Sequence, residues 1–197
     1  MTAEQLGTLG LAAGVSVASG IRVYATIAVL GLLHRLDVLH LPPALEPLSH
    51  PAIIAIAAAL YVAEFVADKV PGFDTAWDGI QTFIRIPAGA ILAAAAFGEL
   101  DPQWMVAAGL VGGTLAGAAH ATKAGTRALI NVSPEPFSNW AASFTEDVGT
   151  ISGLLLAFFL PVVFLILLGV FLILAIWLIP KLWRGVRRLH ASLRSPR

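Results

Sequence analysis

The chain contains no cysteine, so disulfides, thiolate-ligated zinc, thiol redox chemistry and palmitoylation are all excluded. Charge is scarce too: only 12% of the residues are Asp, Glu, Lys or Arg, against 58% hydrophobic. A soluble domain carries about twice that share of charge. With a mean hydropathy of +0.84, the chain belongs in a lipid bilayer. Neither sign of charge is in excess, since 12 basic residues face 12 acidic ones. No long-range field gathers nucleic acid, which is not an expected partner, and any charge-based function is local. Met1 to Gln5 include no basic residue, so the first apolar stretch is read as a retained span and not as a signal peptide.

What is abundant is apolar length. A hydrocarbon core about 30 Å thick needs roughly 20 apolar helical residues, and residues 8–33, 51–69, 80–98, 103–122, 142–160 and 162–180 each offer such a stretch. The expected fold is all-α: a polytopic bundle of about six transmembrane spans over residues 1–183, followed by a basic cytoplasmic tail at 184–197. From Ile151 to Ile179 there is no charge. As one helix this stretch would run to about 43 Å, too long for a single untilted span. Pro161 disfavours helical geometry at Leu160, which predicts a bend or tight hairpin there; a single kinked helix over 142–180, giving five spans, is the alternative. Lys181, Arg184, Arg187, Arg188, Arg194 and Arg197 form the strongest basic cluster, and the positive-inside rule assigns it to the cytoplasm. Six spans then put both termini in the cytoplasm of a cell that holds the protein in its inner membrane. Trp77 to Leu92 can be laid over Trp140 to Leu155, a weak internal repeat of helix hairpins of the sort common in transporters.

The charges that lie within spans are the main functional clue, because each costs about 2.5–3.5 kcal/mol on insertion scales unless paired or hydrated. Arg22 sits deep in the first apolar run behind Ser16, Ser19 and Gly20, where small residues permit close approach and a helix break. Glu64 and Asp68 stack on one helical face, as do His120, Lys123 and Arg127. Cross-helix salt bridging explains this complementarity as well as a ligand site does. Asp74 and Asp78 flank Trp77 where a helix dipole favours carboxylates, and capping accounts for Asp78. Arg85 follows about two turns on. Glu146 and Asp147 immediately precede an uncharged run, and being about 100° apart around a helix, only one of them is expected to face a given partner. Asn131 and Glu135 belong to the polar loop beside them. The near balance of acid and base points to a polar, water-accessible cavity near the cytoplasmic face, in which His120, or a carboxylate raised by burial, could couple to protons. Gly109, Gly113 and Gly117 form a stripe that signals tight helix packing, within the chain or, as the lesser alternative, in a homodimer.

Ser19-Gly20-Ile21-Arg22, the string from Glu64 through Asp68, Lys69 and Pro71 to Asp78, the run His120 to Arg127, and Asn131-Val132-Ser133-Pro134-Glu135-Pro136-Phe137-Ser138-Asn139 resemble the integral membrane family known as domain of unknown function 4126. The resemblance implies a multi-span membrane protein and no catalytic residues. Three functions stand open. The first is a small transporter or channel-like protein for an ion or small polar solute, using the residues above. The second is an enzyme acting on a lipid or polyprenyl phosphate head group, with Glu64, Asp68, Asp74, Asp78 and His120 on a divalent cation and Lys123 and Arg127 on phosphate. Against it stands the lack of any recognised catalytic motif; which cofactor or metal, if any, the chain takes is left open by the sequence. The third is a scaffold subunit docking through the Ser133 to Asn139 loop.

Overall fold

The computed structural model describes residues 2–70, 73–98, 102–131 and 136–194, which are helical apart from turns and short connections. Six α-helices follow one another: α1 (Ala3–Arg35), α2 (Pro51–Ala67), α3 (Phe73–Ala96), α4 (Pro102–Ile130), α5 (Pro136–Phe159) and α6 (Pro161–Arg194), with a 3-10 segment at Pro43–Ser49 before α2. Helix starts follow from sequence chemistry. Thr2 and Gln5 form a reciprocal capping box on α1. Helices α2, α4, α5 and α6 each begin on a proline, whose missing N–H costs nothing at that position. By length and composition α1, α3, α4 and α6 can each cross a membrane, and the bent pair Pro43–Ser49 plus Pro51–Ala67 makes up to five. Helix α5, which carries Glu146 and Asp147, is not among them.

Two single-residue breaks reverse the chain. Leu160 leaves the helix before Pro161, and the consequences can be traced on α4. Asn139, near the start of α5, meets Arg127, while Gly185, near the end of α6, lies beside Leu129. A straight course from Asn139 to Gly185 would separate them by some 60 Å or more at about 1.5 Å per residue. Residues 142–180 are therefore a hairpin, whose tip packs against Gly10 and Gly14 of α1. The second break is at Arg22, with φ −145° and ψ 73° inside α1. His40 to Pro43 share a cavity wall with Thr2 to Ala13, and a Cβ at Gly98 would lie 2.9 Å from that of Ala44. The second half of α1 thus turns back alongside the first, with Arg22 at the tip. This reversal is a pass that the count of six did not include. With it, the start of α1 and the later part of α6 lie at opposite ends of the bundle, whereas six passes would have put them at the same end.

Small residues bring the helices together. Gly112 and Gly89 allow α4 and α3 to close on Ala93, Ala116 and Ser16, and Gly20 lies directly on the Ala116 carbonyl. The stripe Gly109, Gly113 and Gly117 faces Ile86, Ala90 and Ala94 of α3, so it serves packing within the chain. Outward faces are apolar: Phe83 is 83% exposed, Ile176 74% and Leu110 71%, as suits surfaces that meet lipid. Helices α3 and α5, the two arms of the repeat read from the sequence, both run from the charged end along α1. Their side chains do not match: Thr82 bonds His120, whereas Thr145 bonds only the Ala141 carbonyl of its own helix.

Gly20→Val should clash with the Ala116 backbone and cost about 1–3 kcal/mol, lowering the melting midpoint in detergent by about 3–10 °C. Gly149→Val, with nothing within 4 Å of its Cβ position, should leave the midpoint unchanged; equal effects of the two would refute the packing described at Gly20.

Candidate functional site

The charged end collects side chains from five helices around the tip of the α1 hairpin. Arg22, Glu64, Asp68, Asp74, Arg85 and Arg127 are fully buried, and Asp78, His120 and Lys123 nearly so. Arg22 is the hub. Its guanidinium pairs closely with Asp68, lies 3.5 Å from Glu64, 3.2 Å from Glu146 and 2.8 Å from Asp147, and donates to the Ser143 hydroxyl at 2.9 Å. The break puts Arg22 at a hairpin tip, where its guanidinium faces α2 and α5 together. Both Glu146 and Asp147 touch Arg22, contrary to the expectation that one would point elsewhere. The fork of the guanidinium is wide enough to take both.

Arg85 bridges Glu64 at 2.5 Å and Asp78 at 2.7 Å. Asp78 is consequently not a cap: α3 begins at Phe73, so Asp78 lies in the second turn and faces inward. The same guanidinium approaches His120 Nδ1 at 3.0 Å, and His120 Nε2 meets the Thr82 hydroxyl at 2.7 Å. Arginine only donates. His120 Nδ1 therefore accepts, and the neutral ring carries its proton on Nε2, donating to Thr82. Arg127 holds Glu146 in a two-pronged pair at 2.8 and 2.9 Å, and donates to the carbonyls of Asp68 at 3.2 Å and Asn139 at 3.0 Å. Asn131 ties the rim together, donating to Asp74 at 2.6 Å and accepting from Asn139 at 2.8 Å. Lys69, in the connection after α2, rests over the Phe65 ring and reaches Ser143 at 3.4 Å; desolvation holds its ammonium below the usual lysine range. Glu135 lies outside the described residues.

Three features of this network matter chemically. First, among the described residues acids outnumber bases: the six carboxylates of Glu64, Asp68, Asp74, Asp78, Glu146 and Asp147 share the four ion-paired cations Arg22, Arg85, Lys123 and Arg127. Second, three carboxylates each use a single oxygen. Glu64 Oε1, Asp68 Oδ2 and Asp78 Oδ1 carry the ion pairs, while Glu64 Oε2, Asp68 Oδ1 and Asp78 Oδ2 are buried with no hydrogen-bond partner. Such groups are costly to leave dry. Third, no three His, Asp or Glu side chains among the described residues come together as a set able to hold a metal ion. The carboxylates are spaced by the cations between them, and the five-residue divalent site considered from the sequence is not formed by these side chains.

Some participants were missed by sequence reading. Gln81, which donates to the Tyr24 hydroxyl at 3.2 Å, lies three residues after Asp78 and four before Arg85, so the helical period already put it on their face. For Asn139 the only signal was its place beside the polar loop.

Removing Arg85 strands Glu64 and Asp78 in a buried site. Arg85→Ala should therefore cost about 3–5 kcal/mol, seen as a large fall in the denaturant midpoint, whereas Lys69→Ala at the rim should cost less than about 1 kcal/mol. A small effect of Arg85→Ala would mean that the pairing is not as drawn.

The comparisons with known proteins bear on the chain as a whole. No curated protein and no solved structure matches it significantly. The family model for the domain of unknown function DUF4126 matches residues 9–181, a stretch that contains every residue of the charged network. The chain belongs to that family of uncharacterised, membrane-like helical proteins.

Proposed function

We propose that this protein is a small membrane transporter or channel-like protein for a cation or small polar solute, with its charged site on the cytoplasmic side of an inner membrane. The observation that carries the reading is the arrangement along the first half of α1. A half-open, largely apolar groove of about 1180 Å3 lies at one end of the bundle, lined among others by Thr8, Ala12, Trp104 and Phe158, and reaches down to Ser16 and Gly112. Just beyond, the Ser16 hydroxyl bonds the Gly89 carbonyl at 3.3 Å and Gly20 closes on Ala116. Arg22 and the acid-rich network follow about 9 Å past Ser16 at helical rise. A groove, a constriction of small residues and a buried charged site thus succeed one another along a helix that is broken at the site, as the site-forming helices of many transporters are.

Orientation follows from the basic residues. Lys181, Arg184 and Arg187 continue α6 beyond the charged end, so the positive-inside rule puts that end in the cytoplasm; the start of α1 then faces the opposite compartment. Two other readings weaken or survive. The head-group enzyme loses its divalent-cation ligands, as described above. A scaffold is favoured by one observation, the density of mated ion pairs, which would serve rigidity alone.

In proteoliposomes, Glu64→Gln should reduce cation or proton flux at least tenfold while the variant keeps its fold, because it removes a charge from the site and leaves the volume. Wild-type protein that passes no ion or polar solute in either direction would favour the scaffold.

A further inference from the structure

The ammonium group of Lys123 has an unusual position. Its Nζ lies 3.3–3.6 Å from carboxylate oxygens of Glu64, Asp68, Asp78 and Glu146 and 3.3 Å from the Ile21 carbonyl, at the residue before the break in α1. An ammonium has three protons, so five acceptors cannot all be served, and none approaches closer than 3.3 Å. The arginines of the same network are gripped differently, at 2.5–2.8 Å. Lys123 is held by the summed field of a ring of oxygens and not by directed bonds. A backbone carbonyl at a half-helix end is a donor that membrane transporters use for monovalent cations, and here carboxylates surround it. The oxygens stand at the spacing of an ammonium and would draw in around a bare ion; because the group displaced carries one charge, a monovalent cation is the match that leaves the net charge unchanged. Independently, three members of the ring keep a second oxygen, Glu64 Oε2, Asp68 Oδ1 and Asp78 Oδ2, buried and unpartnered, so acceptor capacity beyond that used by Lys123 is built in.

We propose that Lys123 is a tethered occupant of a monovalent-cation site, and that a free cation, either an alkali ion or an ammonium group, takes its place when the side chain swings aside. The site itself stands on the geometry alone; the exchange as a step in transport rests on the function proposed above. A tethered ammonium keeps the buried carboxylates compensated when no substrate is present, and makes entry of one positive charge depend on displacement of another. Net charge in the site then stays constant, which avoids the cost of uncompensated carboxylates at depth.

The test uses purified full-length Lys123→Gln, which removes the tethered cation and keeps a polar side chain. Thermal melting is compared in potassium, sodium, methylammonium and choline chloride at equal ionic strength. The variant should be less stable than wild type in choline and should recover by about 5 °C or more, saturably, in at least one of the smaller cations; wild type, whose site is filled, should shift by less than about 1 °C. Recovery in potassium or sodium alone identifies an alkali ion, and recovery in methylammonium identifies an amine. Equal melting in all four salts would overturn the proposal. If Lys123→Gln cannot be purified in a folded state, Glu64→Gln/Lys123→Gln, with the net charge of wild type, takes its place, and the same two outcomes decide. Flux measurements separate the two ideas: rescue without any flux leaves the site and removes transport, while flux without rescue leaves transport and removes the site.

Discussion

Everything in this structure answers to the cost of keeping ionised side chains out of water. Arg22 is the side chain on which the others depend, because it occupies the tip of a hairpin made from one apolar helix and faces carboxylates from two further helices. An isolated guanidinium at that depth would cost several kcal/mol. Shared among Glu64, Asp68, Glu146 and Asp147, it becomes the point at which α1, α2 and α5 are joined. The break in α1 and the pairing coincide at Arg22: the residue at which the backbone leaves the helix is also the one whose side chain meets both partners.

The same constraint explains why the rest of the molecule is built from small residues. Opposite charges on neighbouring helices meet only if the backbones approach closely, and Gly20 against Ala116 and Gly89 and Gly112 against Ser16 and Ala93 supply that approach directly above the network. Packing and electrostatics are therefore not separable contributions. A larger residue at Gly20 would move the Arg22 tip as well as the helix that carries it. The network is nonetheless not a closed set of pairs. Its acids exceed its bases, and three of its carboxylates leave an oxygen without a partner, features that rigidity alone does not call for.

Much of this was legible in the sequence, and what was not has a physical reason. Apolar length and the turn residues revealed the helices, and the i, i+4 spacing of Glu64 with Asp68 and of Lys123 with Arg127 revealed complementary faces. Pro161 marked the second hairpin because proline constrains the residue before it. At Arg22 the small residues before it signalled a break but not a reversal: no proline follows it, and a break in a run of small residues does not say how far the chain turns. That single omission hid a pass of the chain, and with it the relative placement of the chain ends. Adjacent Glu146 and Asp147 were separated on helical geometry, which describes where Cβ atoms point and not how far a forked cation reaches. Unpartnered oxygens lie beyond sequence reading altogether, since they depend on which oxygen of a carboxylate turns toward which cation.

The claim at the centre of this account is that the buried carboxylates hold a non-protein occupant, whether water or cation, in addition to their protein cations. A high-resolution experimental map of the protein in a lipid nanodisc tests it most directly. The account predicts ordered density within hydrogen-bonding distance of Glu64 Oε2, Asp68 Oδ1 and Asp78 Oδ2, strongest beside Lys123. A map in which all three oxygens turn onto protein donors, with side chains packed solidly between them, would contradict it.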